Sequence, residues 1–500
     1  MPGESLKEST LRGVRWLMLT RLAGESFALA ASVVLARLVS PADFGRAAVA
    51  IIFVPLASIL TFEGFASALV QRERIEPRHV RAAMAMSLLG GLALSGAALA
   101  LTPLLWRPLF GARTAALIAL AAPVFGLAGA GAVSRALLWR ELDFRRMSVI
   151  DVGGLAAGAL TALALALAGL AATAIVLGAL VQVGAVSLAL LVAAPAPLPR
   201  WHRGAQREIG AFGLPAALAG LADVLFRNVD YAILAARLSA AQTGIYWRAF
   251  NLGVVYQDKL SGVMMTLAFP VYSRTDSHAQ LRALHERATR VHAAVIFAPL
   301  AALIVLAPLL IPFVFGGAWA PSVRPAQILA LAGMAAAILT GYPQAMLALG
   351  RPRALLRFNL ARLVLYALAV TLAAGHGLLA VSLAVAGCYA LILAGVYLLL
   401  LGPALGLSLR RLLAELGPAL AGCLALGAVA EPLRLLCEAA LPAPLTIALA
   451  GGGGLCAYAA TLRAVSPAAW RDLLLLSRRL LPKKLAITEL FIRRGRSAAI

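Results

Sequence analysis

Arginines and carboxylates interrupt stretches of this chain that are otherwise apolar enough to cross a bilayer. In the first half they are Arg15, Arg21, Glu25, Arg46, Glu63, Arg135 and Asp151. In the second they are Asp223, Arg227, Asp230, Arg248, Asp258, Lys259, Arg357 and Arg362. A charge at the bilayer centre costs roughly 2.5–3.5 kcal/mol on insertion scales, so such residues turn toward a protein interior or a watery cavity. Arg recurs in the first span of each half and again near residue 362. A cavity lined by guanidinium groups suits an anion, and the planar fork of Arg matches pyrophosphate oxygens. The binding candidates are therefore Arg15, Arg21, Arg227, Arg248 and Arg362. Intramembrane carboxylates relay protons or bind Na+, which makes Glu25, Glu63, Asp151, Asp223 and Asp230 the candidates for ion coupling. Plainer readings stand beside these. Arg46, Arg135, Asp258, Lys259 and Arg357 lie near predicted span ends, where long side chains reach the headgroups. Arg227 and Asp230 are one turn apart and Arg21 and Glu25 four residues apart, close enough to neutralise each other.

No motif for bond-making accompanies these residues. The chain has no GxxxxGK[ST], no HExxH and no GxSxG in a strand–turn–helix setting, so neither an enzyme nor a cofactor is expected. Cys388, Cys423, Cys437 and Cys456 are scattered without a CxxC, which predicts ordinary thiols rather than disulfides or a metal site. His278, His285 and His292 recur at seven-residue spacing, two turns apart. They are expected on one solvated or headgroup-facing side of a surface helix near 273–290, with no carboxylate spaced to complete a metal site.

The elements that must position these groups are membrane spans. Of 500 residues 62% are hydrophobic and 13% charged, which no soluble domain matches. The fold class is an all-α polytopic membrane protein. Spans of about 20 residues are predicted near 14–36, 44–70, 82–105, 114–138, 147–169, 172–193, 208–236, 245–272, 289–315, 325–349, 355–374, 377–401, 411–430 and 443–463, fourteen in all. The net charge of +23 sits mainly in alternate short loops and the C-terminal tail. That pattern predicts topology and anionic lipid contact rather than a nucleic-acid partner, with both termini cytoplasmic. The polar N-terminus shows no cleavable signal, so the first span is expected to direct its own insertion. In the tail, Trp470, Leu473, Leu474, Leu480 and Leu481 alternate with Arg471, Arg478, Arg479, Lys483 and Lys484, the pattern of an interfacial amphipathic helix. The Gly451–Gly454 run reads as close helix packing or as a hinge.

The chain also repeats itself. Ala36-Arg37-Leu38 followed by Ser40-Pro41 and Gly45 returns as Ala236-Arg237-Leu238 followed by Ser239 and Gly244. Gly64 through Gln71-Arg72 is echoed by Gly262 through Ser273-Arg274. Pro103-Leu104-Leu105, ending in Phe110-Gly111, is echoed by Pro308-Leu309-Leu310, ending in Phe315-Gly316. Repeated halves with polar sites between them characterise secondary transporters.

Gly13 to Trp16, then Leu35-Ala36-Arg37-Leu38 and Ser40-Pro41-x-Asp43-Phe44-Gly45, then Gly64-Phe65 through Ala68-Leu69-Val70-Gln71-Arg72, resemble the Wzx-type oligosaccharide flippases of the multidrug/oligosaccharidyl-lipid/polysaccharide exporter superfamily. The resemblance is strong over roughly residues 10–145. It implies two pseudo-symmetric six-helix lobes in a V (1–200 and 201–402), two extra C-terminal helices (403–463) and a basic tail (464–500). It further implies a cationic cavity, and transport of an undecaprenyl-pyrophosphate-linked oligosaccharide across the bacterial inner membrane for lipopolysaccharide, capsule or exopolysaccharide assembly. Membrane lipids and polysaccharide polymerase or export machinery would be the partners. The competing readings are a lipid II flippase, a multidrug or cation antiporter of the same superfamily, and a membrane glycan polymerase. The antiporter predicts twelve spans and an acidic cavity. The polymerase needs a long extracytoplasmic loop that this sequence lacks.

Overall fold

A bilayer interior offers the backbone no hydrogen-bond partners, so a chain this apolar satisfies its amides within helices. The computed structural model describes residues 24–72, 74–258, 261 and 277–480, and among them there is helix and no strand. Ten stretches of the described residues are long and apolar enough to span. Pro77–Arg140, 64 residues long, has room for two of the predicted crossings. Three predicted spans fall outside the ten. The first, 14–36, lies partly outside the described residues, as does 245–272. The third, 208–236, carries Glu208, Asp223, Arg227 and Asp230.

The chain divides into two compact units. The first comprises Met1–Asn251, Ile311–Leu329 and Arg353–Cys388. It contains α1 (24–38), α2 (Pro41–Ile51), α3 (Pro77–Leu101), α4 (Arg107–Ala121), α5 (Val124–Arg140), α6 (Phe144–Leu167), α7 (Ala171–Ala193), α8 (Arg203–Arg237) and α9 (Ala240–Phe250). It also takes the end of α10 (His278–Phe315), the start of α11 (Val323–Leu339), and α12 (Pro352–Ala374) with most of α13 (Leu378–Gly395). The second unit, Leu252–Leu310, Ala330–Pro352 and Tyr389–Ile500, holds the body of α10, the rest of α11, α14 (Leu409–Glu438), α15 (Ala443–Val465) and α16 (Pro467–Leu480).

The repeated motif has a physical meaning inside the first unit. Ser40 and Ser239 are the N-caps of α2 and α9. Each hydroxyl accepts a backbone N–H three residues on, from Asp43 and Gln242, both at 3.2 Å. Pro41 fills the first helical position, where a missing N–H costs nothing. The glycines are where the two copies touch. A Cβ on Gly45 would stand 1.9 Å from the Ala240 carbonyl oxygen, and one on Gly244 would stand 1.8 Å from that of Pro41. The first turns of α2 and α9 therefore meet backbone to backbone. Arg37 donates to the carbonyls of Phe313 (2.5 Å) and Val314 (3.0 Å), satisfying the C-terminal end of α10. Trp319 Nε1 donates to Ala36 O at 2.8 Å. The Phe-Gly echoes also fold alike: Gly111 and Gly316 adopt φ of +78° and +101°. The echo from Gly262 to Arg274 lies outside the described residues.

Small residues set the remaining helix contacts. A Cβ on Gly154 would lie 2.2 Å from Val186, and one on Gly158 2.6 Å from Gln182, so α6 and α7 pack closely along this face. In the second unit α15 runs unbroken through Gly451–Gly454. Added Cβ atoms at Gly453 and Gly454 would meet Leu433 and Ala430 at 2.8 Å, so this run is a packing face rather than a hinge.

The second unit corrects one expectation. No separate surface helix carries the three histidines. α10 is a single helix of 38 residues, and although His278 is exposed, His285 and His292 are each only 2% exposed. Tyr397 lies against His285, and Ser261 lies against His292. The tail helix α16 forms at the predicted place and binds α10 through Asp472, 2.6 Å from Arg287. Leu481, Lys483 and Lys484 lie outside the described residues.

Candidate functional site

The first unit forms a half-open cleft of about 430 Å³. It is bordered by Ser58 and Thr61 before α3, Gly131, Arg135 and Trp139 of α5, Asp151 of α6, and Gln182 and Ser187 of α7. Arg135 pairs with Asp151 through two parallel bonds of 2.7 and 3.2 Å. The bidentate fork aligns both groups and keeps them at the cleft wall. Arg135 thus does not simply reach toward headgroups as its position near a span end suggested. At the start of α1, Gly24 opposes Val152 and Leu155 of α6.

A second group forms where α8 meets α12. Asp223 accepts from Arg227 Nε at 2.8 Å and from Arg362 Nη2 at 3.0 Å. The Arg362 guanidinium lies 4.2 Å from the centre of the Phe226 ring. Two cations converge on one carboxylate. Half of the Arg227 side chain is exposed (52%), whereas Arg362 is nearly covered (11%).

Two turns further along α8, Asp230 is fully buried. Its Oδ2 accepts from the hydroxyls of Tyr246 (2.8 Å) and Tyr366 (2.9 Å), and its Oδ1 from the Tyr231 amide (2.9 Å). The expected Arg227–Asp230 pair is replaced: Arg227 turns back to Asp223, four residues earlier, and Asp230 takes neutral donors from α9 and α12. Sequence reasoning missed both tyrosines, because a phenol sixteen or 136 residues away carries no local signal. Replacing Asp230 with Ala is expected to leave two buried hydroxyls without an acceptor, at about 1–3 kcal/mol each. Asp230→Asn keeps an acceptor and should retain most of the stability. Thermal denaturation of the two purified variants checks the difference, and equal midpoints would contradict it.

Arg248 is also fully buried. Its guanidinium carbon lies 4.3 Å from the Phe315 ring centre, 4.8 Å from Trp319, 5.1 Å from Phe44 and 5.3 Å from Trp247, while Nη1 donates to Ser32 Oγ at 2.9 Å. This is a cation boxed by aromatic faces. Arg46, another residue near a span end, pairs with Asp43 at 2.6 Å. Arg15, Arg21 and Lys259, and the side chain of Glu63, lie outside the described residues.

The site thus consists of ionisable side chains held inside a helical membrane scaffold built from a repeated cap-and-glycine motif. Helices this apolar, in this number, make the chain a multi-pass membrane protein. The profile of the polysaccharide biosynthesis protein family matches residues 34–324, and the chain belongs to that family. It is 24% identical to the lipopolysaccharide biosynthesis protein WzxC of Escherichia coli over 384 residues, which cover 74% of this chain and 76% of the relative. It is also 24% identical to the teichuronic acid biosynthesis protein TuaB of Bacillus subtilis, over 67% of this chain and 70% of that one. Among solved structures, the lipid II flippase MurJ in an inward closed conformation superposes with a TM-score of 0.72 at 13% identity, covering 92% of this chain and 99% of that one. A multidrug resistance transporter of the MATE family, inward-facing, reaches 0.59 at 14% identity over 75% and 95%. These superpositions establish the fold.

Proposed function

We propose that this chain moves undecaprenyl-pyrophosphate-linked oligosaccharide repeat units from the cytoplasmic to the periplasmic leaflet of a bacterial inner membrane, supplying lipopolysaccharide, capsule or exopolysaccharide assembly. It does so without catalysing a covalent step, by alternating access coupled to an ion gradient. The observation that carries this reading is the pair of guanidinium groups, Arg227 and Arg362, gathered on Asp223 where α8 meets α12. Family membership gives that anion site its context. In this reading the chain crosses the membrane fourteen times with both ends in the cytoplasm. Residues 1–200 and 201–402 form the two lobes, 403–463 supply two further helices, and the polymerase or export machinery takes the product. Arg15, Arg21, Arg227, Arg248 and Arg362 serve the anionic headgroup, directly or by supporting its neighbours. Glu25, Glu63, Asp151, Asp223 and Asp230 are the carboxylates available for coupling.

The test is deletion of the gene followed by leaflet-resolved detection of the lipid-linked repeat unit. Accumulation on the cytoplasmic side supports flipping, whereas normal translocation with stalled chain growth favours a polymerase. Accumulated lipid II in place of the repeat unit would assign the peptidoglycan precursor instead. Arg21→Ala, Arg227→Ala and Arg362→Ala should each cut export by about tenfold or more, the equivalent of one lost charge-assisted contact of roughly 1.5–3 kcal/mol, with membrane insertion intact. Wild-type export from all three removes them from the site.

A further inference from the structure

The second unit contains a polar string that the anion site does not use. His285 and His292 stand two turns apart on α10, both buried. Between them lies a small cavity of about 10 Å³, bordered also by Thr289 and by Ala337, Ile338 and Gly341 of the second unit. That volume holds a single water. On one side, Ser261 Oγ lies 2.6 Å from His292 Nε2 and donates to Gln257 Oε1 at 3.0 Å, while Gln257 Nε2 donates to Asp258 Oδ1 at 3.0 Å. With its own proton on Gln257, Ser261 accepts from His292 Nε2–H, so the lone pair of His292 is at Nδ1. On the other side, the Tyr397 hydroxyl approaches His285 Nε2 at 3.4 Å and is hydrogen-bonded to Thr289. Glu286 and Glu415 lie close enough to act on Tyr397 electrostatically. Each is committed to an arginine: Glu415 to Arg290 at 2.8 Å, and Glu286 to Arg411 at 3.4 Å.

We propose that His285 and His292 together hold the coupling proton of the transport cycle, loaded from the Glu286/Glu415 side through Tyr397. The inference rests on the transporter reading above, and it places coupling on imidazoles rather than on the buried carboxylates. A buried imidazole without function is better replaced by an apolar side chain, because each of its polar atoms must be given a partner inside the protein. Here two imidazoles share one cavity, and each has a hydroxyl partner able both to donate and to accept. Proton loading conserves bonds. Once Glu286 or Glu415 has left its arginine and taken a proton from the aqueous side, the Tyr397 O–H passes its proton to His285 Nε2 as Tyr397 takes one from that glutamic acid, so each hop breaks one O–H bond and makes one N–H or O–H bond. The resulting imidazolium needs a counter-charge, and a glutamate released from Arg290 or Arg411 provides it. Charged and titratable groups near the pair include Asp258, Glu286, Arg287 with its partner Asp472, Arg290, Tyr397, Arg411, Glu415 and Tyr458, whose hydroxyl donates to Ala294 O. Opening and closing of the two arginine–glutamate pairs would thus gate the proton.

Two measurements test this. In the full chain labelled with 15N-histidine, two of the six histidines should titrate as a coupled pair, and Ser261→Ala should shift the His292 midpoint without unfolding the protein. Imidazoles that stay neutral until the protein unfolds, or titrate independently in His285→Gln and His292→Gln, overturn the proposal. In vesicles loaded with a pH-sensitive dye, a fluorescent undecaprenyl-pyrophosphate disaccharide should cross faster under a proton gradient and move protons with it. The His285→Gln/His292→Gln double variant should lose that acceleration to the level measured without a gradient. An undiminished response in that variant overturns the histidine proposal and leaves the flippase reading standing. Absence of crossing by the wild type under every gradient overturns the flippase reading, and the titration alone then decides the fate of the pair.

Discussion

Gly45→Ala and Gly244→Ala are each expected to destabilise the protein by about 3 kcal/mol and to abolish export, although each adds a single methyl group. A methyl at position 45 would be driven to 1.9 Å from the Ala240 oxygen and 2.7 Å from the Gly244 nitrogen, and one at position 244 to 1.8 Å from the Pro41 oxygen. All of these obstacles are backbone atoms, so no rotamer change relieves them. Overpacking costs typically about 1–3 kcal/mol, and a contact that only helix displacement can relieve belongs at the upper end. Alanine's better helix propensity returns at most about 1 kcal/mol. Once α2 and α9 have separated, the second methyl meets less resistance, so the double variant should cost less than the sum of the singles. Gly153→Ala in α6, whose Cβ would meet open space, is the control and should be neutral or slightly stabilising. Thermal midpoints of the purified proteins and cell-surface polysaccharide read the two effects. A Gly45→Ala protein with wild-type stability and export would mean that the two motif copies do not need to touch.

Arg248→Ala is expected to cost about 2–4 kcal/mol, with export lost as a consequence of misplaced helices rather than of a missing headgroup contact. The guanidinium faces four rings and Ser32, so its removal opens a void among Phe44, Trp247, Phe315 and Trp319 and forfeits cation–π attraction worth about 2 kcal/mol when desolvated. Arg248→Lys should recover less than half. An ammonium is more strongly hydrated, lacks the flat faces that stack on the rings, and does not reach Ser32 with the same geometry. Arg248→Met, which fills volume without charge, separates the two contributions. Binding of a pyrophosphate-bearing lipid to the surviving fraction of folded protein should be unchanged in all three. Selective loss of that binding in a stably folded Arg248→Met protein would instead make Arg248 a headgroup ligand.

These two knots explain why a short string in the sequence was informative. The Ser40 and Ser239 caps, Pro41, Gly45 and Gly244 are local devices, each tied to its own turn or to the first turn of one other helix, and their chemistry leaves a mark on residue type. Phe44 belongs with them only because its ring meets Arg248 and Trp319, which are far away in the chain. The partners of the ionisable groups behave differently. Arg227 has a carboxylate three residues ahead and another four residues behind. Both fit helical geometry, and only the arrival of Arg362 from α12 and of Tyr246 and Tyr366 beside Asp230 decided between them. In the same way, seven-residue spacing correctly placed His285 and His292 on one face of α10. Whether that face met water or protein depended on groups far along the chain, Tyr397 among them.

Composition and hydropathy were enough to make this chain a multi-pass helical membrane protein, because a backbone in lipid has few ways to satisfy its hydrogen bonds and apolar length records each crossing directly. The repeats were visible for a related reason: caps and glycine contacts demand particular residues at fixed spacing. Which groups the buried charges pair with was settled by the tertiary arrangement. A charge inside an apolar span announces that it must be compensated, but the compensating group is chosen by which helix packs alongside, and long-range packing leaves no period in the chain. Hence Asp223 shares two arginines, Asp230 holds two tyrosines, Arg135 fastens to Asp151, and Arg248 sits among rings.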